Sequence, residues 1–361
     1  VNLTVRAEVT PIRIGAILIL SGSEAMYGEA FREGIAVALD EVNAAGGVGG
    51  RPLQVIIEDS ANNAKRSHTA AVKLIEHDKV IAVLNSSFTE VMANGPLLER
   101  AKIPAVTLWD SAIQIEELGE YNFGIGVYTP SAGEKAAEFS REKLAAKTAV
   151  IINMENEWGN TISKVFTQEF ESRGGKILEY ISVDPSTTDF RAILTKAKRL
   201  NPDVMYTPLV EGVIPFYKQV RQLGVKAHIV TSDIISNHHI KEAPGIFEGV
   251  YQTQPPAPEG AVTQLFTALY KRKYGHAPPM LLFNALGYDG LKLLVRAIEL
   301  THGDPVKMKA ELHQTRSYQG ASGIIDINER GSSPKLEEMV LIKHGTFVPM
   351  ERCKGKGCQS S

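Results

Sequence analysis

The sequence predicts an α/β fold of two lobes, each built on a parallel sheet with helices on both faces. Three observations lead there. The chain has 361 residues, more than a single domain usually holds. Residues 12–20 form an almost unbroken apolar run, as a parallel strand buried on both faces requires. Strand-like and helix-like periods then alternate with short loops through most of the chain, in two series of the same rhythm.

The strand at 12–20 opens the first series. Gly22-Ser23-Glu24-Ala25-Met26-Tyr27-Gly28 follows it, a loop at a strand's carboxyl end, where ligands sit in open α/β sheets. Tyr27 and the free amides of the next helix would face such a ligand. Phe31, Ile35, Leu39 and Val42 recur at helical spacing, and Gly46-Gly47 supply the left-handed positions that stop the helix. Further strands are expected at 53–58, 80–84 and 105–108, separated by helices carrying Ala70, Ala71, Leu74 and Ile75, then Met92, Leu97 and Leu98. The second series places strands at 149–153, 177–181, 204–207 and 229–231, with helices carrying Val165, Phe166 and Phe170, then Phe190, Ile193, Leu194 and Ala197. Its first helix ends in Gly174-Gly175 before Lys176, matching Gly46-Gly47 in the first series.

Three stretches read as crossings between the lobes: 126–130, 251–256 and 323–328, each a short strand running into a turn-rich or Pro-rich segment. Three crossings make a hinge. The boundaries that follow are 12–127 and 255–326 for lobe 1, 128–254 and 327–349 for lobe 2, and a tail at 350–361. Helices at 262–274 and 283–300 return to lobe 1, and 339–342 with 346–348 form a terminal hairpin through His344-Gly345.

Composition narrows the function classes. Hydrophobic residues make up 43%, charged residues 22%, and the net charge is −2, which argues against a nucleic-acid surface. No apolar run approaches the length of a membrane helix. No signal segment precedes Val1, and a mature or trimmed start would hide an export signal. Cys353 and Cys358 are either a disulfide closing a short loop, which fits an oxidising compartment, or a pair of free thiols in a terminus. Zinc would need further ligands that the tail lacks, and no cofactor motif occurs. Gly46-Gly47-Val48-Gly49-Gly50 lacks the Gly-Lys-Ser/Thr of a phosphate loop, His238-His239 has no metalloprotease Glu, and no Gly-x-Ser-x-Gly elbow is present. The pairs Asp184 with Asp189 and Glu58 with Asp59 fit solvated surface better than acid/base catalysis. The chain is therefore expected not to be an enzyme.

Gly22-x4-Tyr27-Gly28, Asn43-x2-Gly46-Gly47, Ser86-Ser87-x-Thr89 and Glu157-Trp158-Gly159 occur in an order that resembles the periplasmic type I solute-binding proteins of ABC importers, in the leucine/isoleucine/valine-binding branch. The resemblance spans about 11–349 and implies two Rossmann-like lobes that close like a Venus flytrap. It implies a monomer, exported to the periplasm or another extracytoplasmic space, that delivers a carboxylate-bearing small molecule to an inner-membrane ABC permease. Carried over by position, Ser86, Ser87 and Ser111 hold the ligand carboxylate, although a Ser-Ser-x-Thr run also suits plain helix capping. Asp233 falls where the family places the acid that receives the ligand ammonium, or else it caps the following segment through Ser236.

The chain departs from the branched-chain pattern at its aromatics. Trp158 stands where a tyrosine is usual, Trp109 where a small residue is usual, and no tyrosine occurs near 209–211. Tyr27, Trp109, Trp158 and Phe283 could together make an aromatic box; alternatively one or both tryptophans pack within a lobe. The expected ligand is a hydrophobic or branched-chain amino acid, with an aromatic or other apolar carboxylic acid as the alternative. A ligand-sensing regulatory domain and an amidase or hydrolase are the remaining readings.

Overall fold

The computed structural model describes residues 10–22 and 24–350; Cys353 and Cys358 lie outside them. The described residues form two compact units, 10–127 with 257–335 and 128–256 with 336–350.

Lobe 1 begins with β1 (Ile12–Leu18), α1 (Ala25–Ala44), β2 (Leu53–Asp59), α2 (Ala64–Glu76), β3 (Val83–Asn85), α3 (Phe88–Ala101), β4 (Ala105–Thr107), α4 (Ile113–Glu116) and β5 (Asn122–Gly124). Its five strands are ordered β2-β1-β3-β4-β5 and are all parallel. Lobe 2 follows with α5 (Pro130–Glu142), β6 (Thr148–Met154), α6 (Glu157–Ser172), β7 (Lys176–Val183), α7 (Arg191–Arg199), β8 (Val204–Tyr206), α8 (Val213–Gln222), β9 (His228–Thr231), α9 (Asn237–Glu242) and β10 (Tyr251–Gln254). The chain then returns to lobe 1 through α10 (Ala261–Tyr274), α11 (Leu281–Thr301), α12 (Pro305–His313) and the small hairpin β11 (Tyr318–Gly320) and β12 (Gly323–Ile325). The antiparallel hairpin β13 (Glu338–Lys343) and β14 (Thr346–Pro349) completes the lobe 2 sheet, ordered β14-β13-β10-β9-β8-β6-β7.

The third crossing falls between Lys335 and Leu336, later than the 323–328 expected. Backbone bonds hold the intervening stretch in lobe 1: Ile327 donates to Thr315, Ser333 to Gly124 and Lys335 to Gly126, at 3.1, 2.7 and 2.9 Å. The buried carboxylate of Asp289 on α11 fixes the β11–β12 turn by accepting from the backbone of Ala321 and Ser322, both at 2.7 Å.

The helix-stopping glycines work by two means. Gly46, Gly47 and Gly174 have φ of +101°, +76° and +76°, the left-handed region expected of them. Gly175 has no such backbone; instead a Cβ there would lie 2.3 Å from the ring of Phe170. Glycine also sets how α1 seats. A Cβ on Gly28 would lie 1.8 Å from the carbonyl oxygen of Ile19, and one on Gly34 would lie 1.8 Å from that of Asn284 on α11. These contacts press α1 between the end of β1 and α11, which fixes Tyr27 at the sheet's carboxyl edge.

Candidate functional site

In lobe 1 the strand order reverses direction between β1 and β3, so their carboxyl ends open the crevice where open sheets hold ligands. Ser86 lies there, fully buried. Its Oγ accepts from the Ile19 amide at 3.1 Å and donates to the Glu90 carboxylate at 2.7 Å. Glu90 also accepts from the Ser60 hydroxyl and from the Ser87 amide, the latter at 2.8 Å. Burial pushes Glu90 up to about 7 against these bonds. Ser87 and Glu90 stand at the capping-box spacing at the start of α3. Ser87 Oγ makes a long contact to Asn62 at 3.4 Å, and Ser111 Oγ donates to the Gly126 carbonyl at 3.1 Å. The three serines named from sequence thus all sit buried at the carboxyl edge of the sheet, each with its hydroxyl proton directed at a protein acceptor.

Asp110 was not singled out from sequence. Its carboxylate accepts from the Phe88 amide at 3.0 Å and so stands on the first amide of α3, the place an incoming anion would favour. Burial pushes it up to about 7, the Phe88 bond opposes this, and the charge of Glu24 adds to the rise. An Asp beside Ser111, just after a buried strand, was the available signal.

The aromatic residues of lobe 1 meet. Tyr27 and Trp109 have ring centroids 4.3 Å apart, Tyr27 and Phe283 4.9 Å, and Trp109 and Phe283 5.4 Å in an edge-on arrangement. Phe31, fully buried, lies beneath, 5.7 Å from Phe283. Its helical spacing in the sequence had marked it only as core. These lobe 1 rings touch one another and form one aromatic platform. Trp109 is anchored by donating its amide to the Ser86 carbonyl at 3.1 Å.

Lobe 2 carries the other two residues named from sequence. Trp158 is the second residue of α6, whose first turn is capped by Asn156 accepting from Gly159 at 2.7 Å. Trp158 is partly buried and packs against the lobe 2 core cluster that includes Val150, Ile152 and Met154. Asp233 follows β9 and is exposed. Capping of α9 belongs to Ser236, which accepts from His239 at 3.4 Å. Among the described residues no side chain bonds to the Asp233 carboxylate; the loss of hydration from protein packed around it pushes it up to about 6, opposed by its own backbone amide. No cluster of metal-ligating side chains occurs among the described residues.

Comparison with known proteins places this geometry. A family model described as periplasmic binding protein matches residues 11–335. The leucine-, isoleucine-, valine-, threonine-, and alanine-binding protein of Pseudomonas aeruginosa is 23% identical over 320 residues, 86% of this chain and 84% of that protein. Among solved structures, a leucine binding protein from Thermotoga maritima is 28% identical with a TM-score of 0.78, covering 94% of this chain and 97% of its own. A solute binding protein of an ABC transporter from Rhodopseudomonas palustris HaA2, in complex with p-hydroxybenzoic acid, shares the fold with a TM-score of 0.80 at 22% identity, covering 94% and 95%.

Proposed function

The chain belongs to the periplasmic binding protein family, and we propose that within it this receptor captures an apolar α-amino acid for an inner-membrane ABC permease. The family is one of extracytoplasmic solute-binding proteins of ABC transporters and not of enzymes. Among the described residues no helix is long and apolar enough to cross a membrane.

Asp233 carries the amino-acid reading. An exposed acid at a strand's carboxyl end, with no side-chain partner among the described residues, offers a charge-assisted hydrogen bond to an ammonium. In lobe 1, Asp110 already stands on the α3 amide, which disfavours a ligand whose only charge is negative. The platform of Tyr27, Trp109 and Phe283 supplies surface for the apolar side chain. The relatives named for leucine, isoleucine and valine point the same way.

A second reading, an aromatic carboxylic acid without an amino group, draws on the same aromatic platform. Calorimetric titration of L-leucine, L-phenylalanine and their deaminated counterparts, 4-methylpentanoate and 3-phenylpropionate, separates the two. The amino acids should bind more tightly, and Asp233→Asn should weaken them about tenfold or more, as the loss of a charged hydrogen bond does. Tighter binding of the deaminated acids, with little effect of Asp233→Asn, would replace the first reading with the second.

A further inference from the structure

At the carboxyl edge of the lobe 1 sheet, the donors that would hold a ligand carboxylate are already taken by the protein. The Ser86 hydroxyl donates to Glu90 at 2.7 Å, the Ser87 hydroxyl to Asn62 at 3.4 Å and the Ser111 hydroxyl to the Gly126 carbonyl at 3.1 Å. The amides at the start of α3 are also met, Ser87 donating to Glu90 at 2.8 Å and Phe88 to Asp110 at 3.0 Å. A helix start ordinarily attracts an anion, and here two of the chain's own carboxylates stand at it. Asp110 uses only one oxygen for this. Its Oδ2 takes the Phe88 amide, while Oδ1 has no hydrogen-bond partner among the described residues and is not sealed from solvent.

Contacts within lobe 1 tie this carboxylate to the aromatic platform. The Tyr27 amide donates to the Glu24 carbonyl at 3.0 Å. The Glu24 carboxylate accepts from Asn62 Nδ2 at 2.5 Å, and Asn62 Oδ1 accepts from Ser87, which precedes Phe88 at the head of α3. Trp109, the chain neighbour of Asp110, has its ring 4.3 Å from that of Tyr27 between centroids. Asp110 is raised by burial first and then by the charge of Glu24, and among the described residues no cation opposes them. A ligand carboxylate set at this edge would therefore meet a like charge and none of the three serine protons, which is costly twice over. An ammonium would meet an open acceptor and the faces of aromatic rings, which attract cations.

Resting on the reading above that the ligand carries an ammonium, we propose that Asp110 stands in the place of a ligand carboxylate and makes lobe 1 a reader of ammonium. Its free oxygen accepts an N–H of the ligand, and the platform of Tyr27, Trp109 and Phe283 takes the apolar part. Ser86, Ser87 and Ser111 then frame the site instead of holding a carboxylate. The ligand carboxylate becomes dispensable, and the receptor's ligands extend to apolar primary amines.

The test is calorimetry at about pH 8, above the value near 7 of Asp110, with L-leucine, L-leucinol, 3-methylbutylamine and 4-methylpentanoate. The first three carry an ammonium at that pH, and only L-leucine and 4-methylpentanoate carry a carboxylate. In wild type, L-leucinol and 3-methylbutylamine should bind at least as tightly as L-leucine. Asp110→Asn keeps an oxygen for the Phe88 amide and removes the charge. It should weaken the two carboxylate-free amines about tenfold or more, as the loss of a charged hydrogen bond does, and strengthen 4-methylpentanoate. If Asp110→Asn does not fold, the wild-type ranking decides alone. L-leucine tighter than both amines by about tenfold or more, or a ranking unchanged in Asp110→Asn, overturns the role of Asp110 and leaves the amino-acid reading standing. Binding of 4-methylpentanoate alone, or of no probe, overturns the amino-acid reading and this proposal with it.

Discussion

The Ser86 hydroxyl donates to the Glu90 carboxylate at 2.7 Å while accepting from the Ile19 amide at 3.1 Å, so one side chain ties the ends of β1 and β3 to the start of α3. Ser86→Ala leaves the Ile19 amide buried and unmet and takes one bond from Glu90, which keeps those from Ser60 and Ser87. It should cost ~1–3 kcal/mol of folding stability in urea denaturation, whatever it does to ligand binding.

Glu90 gives the same knot a pH signature. Its folded value is raised to about 7, so the folded state holds the proton more tightly than the unfolded chain. That contribution is complete below the ordinary carboxylate range and is lost as pH rises through about 7. Urea midpoints should therefore fall between about pH 5 and about pH 8, and Glu90→Gln should make the fall shallower. An unchanged slope in Glu90→Gln would show that the carboxyl titrates normally.

Gly28 and Gly15 provide a paired test of α1 seating. A Cβ at Gly28 meets the Ile19 carbonyl at 1.8 Å, which is backbone and cannot yield, whereas at Gly15 it meets the movable Leu74 Cδ1 at 2.7 Å. Gly28→Ala should cost ~1–3 kcal/mol or more and also weaken ligand binding through Tyr27. Gly15→Ala should be milder, and equal losses would mean that α1 adjusts.

Trp109 and Phe283 meet edge-on at 5.4 Å. A double-mutant cycle of Trp109→Ala and Phe283→Ala in urea denaturation should return a coupling of ~0.5–1.5 kcal/mol. No coupling would mean that the rings share a surface without supporting each other.

Much of this was legible in the sequence because it rests on local pattern. The apolar run of β1, the helical spacing of α1 and the left-handed glycines after it follow from backbone preference and burial period alone. Tyr27 could be placed because it lies in the loop after the first strand, whereas Ser86, Ser87 and Ser111 were named from the family resemblance. What was hidden depends on contacts between distant residues. Asp110 reads as one more polar residue at a strand end, until folding sets its carboxylate on the Phe88 amide, 22 residues back. The third crossing was misplaced for a similar reason: residues 327–335 have no strong period, and distant bonds to Gly124 and Gly126 decide where they belong. The three-residue strand β5 is too short to show a period.

The side-chain amide of Asn284 bonds the carbonyl of Ala30 at 2.9 Å, across a sequence separation of 254 residues. During synthesis the first five strands of lobe 1 therefore emerge long before α11 can cover α1, and β10 of lobe 2 waits, over a shorter stretch, for β13. Each lobe is closed by a segment made near the end of the chain. A ribosome-bound product ending at either of the first two crossings carries unfinished surfaces, so late, long-range docking rather than local helix formation sets the pace of folding.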